Sequence, residues 1–138
     1  MCACTAERLE AGTLNAPAFA GLEKACGESE FRFDDLTLLN KELVNGLNDI
    51  SGITIYGAPE NDFETYVPTA LINKEGMTPD ALSDLLRIHG FCVRSGLHCS
   101  PSAHAKLGTL EKGGGVRISL GKNNRRSQIK RLLKILDI

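Results

Sequence analysis

The pair Ser100-Pro101 constrains this chain more than any other feature of its sequence, because it marks a helix start just after a β-type run, Phe91–Val93. Proline has no amide proton to leave unsatisfied at the first helical position, and a serine before it offers an oxygen to an orphan amide of the first turn. Strand and helix must therefore be joined by a Gly-containing loop, Arg94-Ser95-Gly96-Leu97-His98-Cys99, which carries a guanidinium, an imidazole and a thiol. Cys99 stands directly before the expected helix N-terminus, where aligned peptide dipoles favour a thiolate. Arg94 and His98 push in the same direction. The loop reads as the seat of a reactive cysteine.

The rest of the chain is punctuated in the same way. Asn15 is placed to cap a small-residue helix with Pro17 in its first turn, ending near Gly27. Leu36, Leu39, Leu43 and Leu47 recur at three- and four-residue steps, one apolar stripe of a helix from Asp34 or Asp35 to Asp49. Gly46 inside it costs about 1 kcal/mol relative to alanine. Ile53–Tyr56 is a short β-branched strand. Tyr66–Ile72 is a second, and Pro68, which cannot donate to a ladder, argues for an edge position. Thr78-Pro79-Asp80 opens another helix, and Gly90 closes it. Gly113-Gly114-Gly115 lacks the Lys-Ser/Thr of a phosphate-binding loop and precedes a strand, Val116–Leu120, so it reads as a flexible hinge. A last helix from Asn123 or Asn124 buries Ile129, Leu132, Leu133 and Leu136 and turns its basic side chains to solvent.

Short strands interleaved with helices predict an α+β fold: a small antiparallel or mixed sheet covered on one face by helices. Residues 1–30 form an N-terminal arm and first helix, and 31–138 a single compact domain. A net charge of -1 supplies no global attraction to nucleic acid, and the absence of tryptophan weakens any base-stacking reading. No apolar run is long enough to span a bilayer and no signal sequence opens the chain, so the expected compartment is the cytoplasm. Five irregularly spaced cysteines fit reduced thiols better than a disulfide framework.

Other chemistry is open to these residues. His89, Cys92, His98, Cys99 and His104 lie close in sequence, but no pair has a recognised zinc spacing, and Cys2-Ala3-Cys4 has too short a gap; no metal is expected. Cys92, beside Val93, reads as a buried inert thiol. A protease-like dyad of Cys99 with the adjacent His98 is disfavoured because neighbouring side chains point apart. A thiol that attacks a polarised sulfur or selenium needs no such dyad. Arg117, in the strand after the glycines, is either a bidentate carboxylate clamp or a structural strand arginine.

Val93-Arg94-Ser95-Gly96-Leu97-His98-Cys99-Ser100-Pro101, with Ala103-His104 and Leu107-Gly108-Thr109, resembles the C-terminal part of cysteine desulfurases, class V aminotransferases that include selenocysteine lyase-like members. Gly115–Gly121 with Asn124 resembles the strand that follows there. Glu10-Ala11-Gly12-Thr13-Leu14-Asn15, with Pro17, Gly21 and Leu22, resembles an earlier segment in the same order. The likeness runs from about Leu9, leaving out Met1–Thr5.

The resemblance implies the C-terminal small domain of a fold-type-I, pyridoxal 5'-phosphate (PLP) enzyme that converts L-cysteine to L-alanine and leaves a persulfide on Cys99. Arg117 would hold the substrate carboxylate, and Arg94 and His98 would shape the loop or its electrostatics. Gly12 and Thr13 would reach the cofactor phosphate of the neighbouring subunit in a homodimer. The substrate is cysteine or selenocysteine, and the product sulfur passes to an acceptor protein. The family's PLP-binding domain, with its Schiff-base lysine, has no counterpart here, so this chain alone is expected neither to hold PLP nor to turn over cysteine. A non-catalytic sulfur carrier and an aminotransferase domain without a desulfurase role are the alternatives.

Overall fold

A computed structural model describes residues 15–27, 33–57 and 67–138. The chain divides into two compact units, residues 1–31 and 32–138. The first holds helix α1 (Ala16–Gly27), whose residues are all exposed. Asn15 caps it as its position predicts, its side-chain oxygen accepting from the Ala18 amide at 3.2 Å.

The second unit runs α2 (Phe33–Asn48), β1 (Ile53–Tyr56), β2 (Thr69–Lys74), α3 (Pro79–Ile88), β3 (Arg94–Gly96), α4 (Pro101–Lys106), β4 (Gly115–Ser119) and α5 (Arg126–Leu136). The four strands form one antiparallel sheet in the order β1-β2-β4-β3. Because side chains alternate along a strand, the register sorts them onto two faces. Ile55, Ala70, Ile72, Val116 and Ile118 share one face and pack in a single core with Leu43 and Leu47 of α2, Leu82 and Leu86 of α3, and Ile129, Leu132 and Leu136 of α5. Thr54, Leu71, Asn73, Arg94 and Arg117 share the other face, which none of these three long helices covers. The fold is thus the helix-covered α+β sheet that the sequence predicts.

Several expectations need correction. Pro68 does not mark an edge: β2 lies between β1 and β4, and Pro68 just precedes it, where its missing donor costs nothing and its carbonyl accepts from Leu120 N–H at 2.8 Å. The strand near the thiol loop is Arg94–Gly96, not Phe91–Val93; Phe91 and Val93 instead pack against the core. Gly46 is a contact residue. A Cβ there would overlap the Leu133 side chain, so the glycine sets the approach of α2 to α5. The α5 core line is Ile129, Leu132, Ile135 and Leu136, with Leu133 only partly buried. The basic side of α5 is also used: Arg126 pairs with Glu42 at 2.6 Å, and Arg131 donates to the His89 carbonyl at 3.2 Å while stacking over Phe91.

The two Pro-led helices differ at their caps. Thr78 accepts from the Ala81 amide at 3.2 Å, as predicted. Ser100 makes no side-chain cap bond, its backbone lying at φ -132° and ψ 56°. Thr78→Ala should therefore lower unfolding stability in urea by about 1 kcal/mol, whereas Ser100→Ala should change it by less than about 0.5 kcal/mol. Gly46→Val should overpack the α2–α5 contact and cost about 1–3 kcal/mol in the same measurement.

Candidate functional site: a thiol turn beside paired arginines

The site is built where the β3–β4 ladder ends. Arg94 pairs with Arg117 across it, Ser95 with Val116 and Gly96 with Gly115. Paired residues point to the same side of a sheet, so both guanidinium-bearing side chains leave from the face opposite the one packed by α2, α3 and α5. Like charges placed directly opposite repel, and an anion bound between them removes that penalty. Arg94 is exposed and Arg117 partly buried. Ser95, on the covered face, donates to Asp80 at 2.6 Å and pins β3 to the first turn of α3. Arg94 thus belongs to the ladder, where sequence reasoning placed it in a loop.

After Gly96 the chain turns sharply. His98 and Cys99 both lie in the left-handed region, at φ 52° and 62°. Non-glycine residues rarely adopt it, at a cost on the order of 1–3 kcal/mol each. The neighbouring backbone holds them there. Gly114, at φ 93°, lies so close to the Gly96 carbonyl that a Cβ would overlap it, and a Cβ on Gly115 would crowd Leu71. Both glycines are buried. Gly114-Gly115 is therefore a close-packed seat for the loop and not part of a flexible hinge, while Gly113 before it is exposed with open space around it.

His98 is tied to that seat. A carbonyl only accepts, so the imidazole Nε2–H donates to Gly115 O, at 3.2 Å, which leaves Nδ1 as the bare nitrogen. That Nδ1 is buried without a partner. Burial lowers the His98 pKa below 6.5; the Gly115 hydrogen bond opposes this, while the Arg117 charge, then His104 and Arg94, add to it. His104, whose ring centre lies 5.8 Å from that of His98, is 3% exposed. Its Nδ1 lies 2.7 Å from the hydroxyl of fully buried Thr109, which in turn donates to the His104 carbonyl. This pair braces the base of the loop.

Cys99 is exposed and makes no hydrogen bond with a described residue. The helix after it is a six-residue turn, and its predicted cap is not made. The distinctive feature of the thiol is its left-handed backbone. Cys92, expected to be buried, is exposed. Among the described residues no group of three His, Cys, Asp or Glu side chains is placed to hold a metal ion. Gly12 and Thr13 lie outside the described residues. Sequence reasoning missed Asn73, whose Nδ2 donates to Gly114 O at 3.1 Å. Its one sequence signal is a polar residue at alternate spacing from Leu71, which says nothing of its cross-strand neighbours.

Fold and site together define an α+β domain that displays a thiol on a strained turn at the end of a cationic sheet face. The chain belongs to the aminotransferase class-V family, which it matches over residues 1–132; the match takes in Met1–Thr5, which the motif comparison left out. It is similar to a probable cysteine desulfurase of Methanothermobacter thermautotrophicus, at 31% identity over 94% of this chain and 33% of that protein. A second probable cysteine desulfurase, from Pseudomonas putida, is 32% identical over 72% of this chain and 22% of its own length. The fold is similar to the apo structure of a cysteine desulfurase from Thermococcus onnurineus, with a TM-score of 0.75 and 27% identity over 96% of this chain and 33% of that one. The chain thus spans about a third or less of these relatives. Among the described residues no helix is long and apolar enough to cross a membrane.

The lowered His98 pKa has a definite sign. The unfolded imidazole takes up its proton first as pH falls, so the neutral folded ring loses stability relative to the unfolded chain below 6.5 and loses nothing above it. His98→Gln should lessen the fall in urea midpoint between about pH 7 and about pH 5. An unchanged pH dependence would contradict the burial of that ring.

Proposed function

We propose that this chain is the sulfur-accepting and carboxylate-binding part of a PLP-dependent cysteine desulfurase. Its share of the net reaction is L-cysteine plus the Cys99 thiol giving L-alanine plus a Cys99 persulfide. A sulfur–sulfur bond forms at Cys99 and the carbon–sulfur bond of the substrate breaks. The observation that carries the reading is the register of β3 on β4, which sets Arg94 opposite Arg117 on the open face, next to the turn that holds Cys99. A guanidinium fork matches a carboxylate in two parallel hydrogen bonds. Arg117, partly buried, is assigned to that carboxylate. Arg94 keeps the surroundings cationic, and His98, neutral and tied to Gly115 O, shapes the loop without adding a second proton donor at Nδ1.

The sheet face that carries the two arginines does not fit PLP itself. The paired positions on the open face include no lysine, and Lys74, on the covered side, is engaged by the carbonyls of Leu136 and Ile138. The class V family implies PLP in the longer relatives, and we assign Gly12 and Thr13 to its phosphate across a homodimer. The cofactor-dependent step is left to those longer proteins, as are the choice between cysteine and selenocysteine and the acceptor protein. Exposed cysteines fit a reducing, cytoplasmic setting.

The test is a chimaera in which this chain replaces the matching part of the Methanothermobacter desulfurase. L-cysteine should then give L-alanine and a persulfide on Cys99. Cys99→Ala should reduce persulfide formation by at least about a hundredfold, as loss of a nucleophile does. Arg117→Lys should act mainly through KM for cysteine, because the charge survives and the fork does not. Persulfide formation that persists without Cys99 would sink the assignment.

A further inference from the structure

Past the Gly96–Gly115 pair no ladder bond positions Leu97–Ser100. Hydrogen bonds converge instead on Gly114 and Gly115. Asn73 Nδ2 donates to Gly114 O at 3.1 Å, Gly114 N–H donates to Thr109 O at 2.9 Å, and His98 Nε2–H donates to Gly115 O at 3.2 Å. Of these partners only Asn73 stands outside the Leu97–Gly115 excursion. It belongs to β2, which is paired on both sides and so is the steadier reference. The other end of its carboxamide, Oδ1, is buried with no hydrogen-bond partner, beside the Gly115 Cα. An amide that leaves one buried atom unsatisfied while its other atom reaches a loop carbonyl calls for a reason beyond its own solvation.

We propose that Asn73 is the positioning residue of the thiol loop. Its carboxamide fixes Gly114, Gly114 seats the Gly96–Leu97 backbone, and the left-handed turn at His98 and Cys99 takes its orientation from that contact. Without the Nδ2 donor, the ladder still holds Gly115, but Gly114 loses its tie to β2, and the turn relaxes toward ordinary backbone angles. The His98 ring, faced by Arg94 of β3, Arg117 of β4 and His104 of α4, then regains water. This deepens the reading of Cys99 as a nucleophile but is tested on the chain itself, without desulfuration, so each can fail without the other.

Asn73→Ala and Asn73→Asp are to be compared with Thr54→Ala, which alters the cross-strand partner of Asn73 on the same face. Each chain is treated with limiting iodoacetamide, and Cys99 labelling is read against the exposed Cys92 by peptide mass spectrometry. In the Asn73 variants that ratio should move by about fivefold, the factor that corresponds to one typical hydrogen bond, and in Thr54→Ala it should not move. The NMR titration midpoint of His98 should also rise toward 6.5 in Asn73→Ala, which a general loss of stability would not produce. A folded Asn73→Ala chain with an unchanged ratio and an unchanged His98 midpoint overturns the proposal. Should neither Asn73 variant fold, hydrogen exchange on the wild-type chain decides. Asn73 carboxamide protons must be protected, and exchange as fast as that of the exposed Asn48 side chain overturns it.

Discussion

The site depends on one close approach, that of Gly114 to the backbone of Gly96 and Leu97. Any side chain at Gly114 would force β3 away from the segment leading into β4. With that approach allowed, the ladder closes down to Gly96 and Gly115, and the register that follows sets Arg94 opposite Arg117. The same contact ends the ladder abruptly. The chain must reverse at once, and it does so through two left-handed residues, His98 and Cys99. Paired charge and strained thiol are thus two consequences of one backbone contact. The strain is stored where chemistry is proposed, which is where over-determined backbone is generally found.

What the sequence made legible was local. Caps at Asn15 and Thr78, the leucine stripe of α2 and the short strand β1 each follow from residues within a few positions of one another. What stayed hidden was set by distant chain. Pro68 reads as an edge signal only until β4 is known to pair beside it. Phe91–Val93 has strand composition, but its apolar side chains serve the core while the ladder bonds fall on Arg94–Gly96. Gly46 reads as a helix penalty because Leu133 is far along the chain. Ser100 has the right chemistry for a cap and the wrong backbone angles, which the preceding turn imposes.

The candidate residues divide the same way. Cys99, His98, Arg94 and Arg117 could be picked from motif and residue type, but that two of them pair across strands could not. Asn73 and the His104–Thr109 brace surface only once the excursion from Leu97 to Gly114 is seen folded back on the sheet. Class V membership is carried by residues 1–132, and the chain spans about a third of its desulfurase relatives. Its described residues supply an exposed thiol and two arginines paired across β3 and β4.

Sulfur loading of the chain itself tests the central claim most directly. Offered cysteine persulfide, the Cys99 thiolate should attack the outer sulfur, form Cys99–S–SH and release cysteine thiolate. Offered cysteamine persulfide, which lacks the carboxylate, it should load more slowly, while the exposed Cys92 should not distinguish the two donors. Added sulfur is mapped by mass spectrometry after brief exposure. Cys99 loading that outpaces Cys92 only with the carboxylate-bearing donor is the predicted result. Equal loading of the two cysteines, or indifference of Cys99 to the carboxylate, would contradict the account.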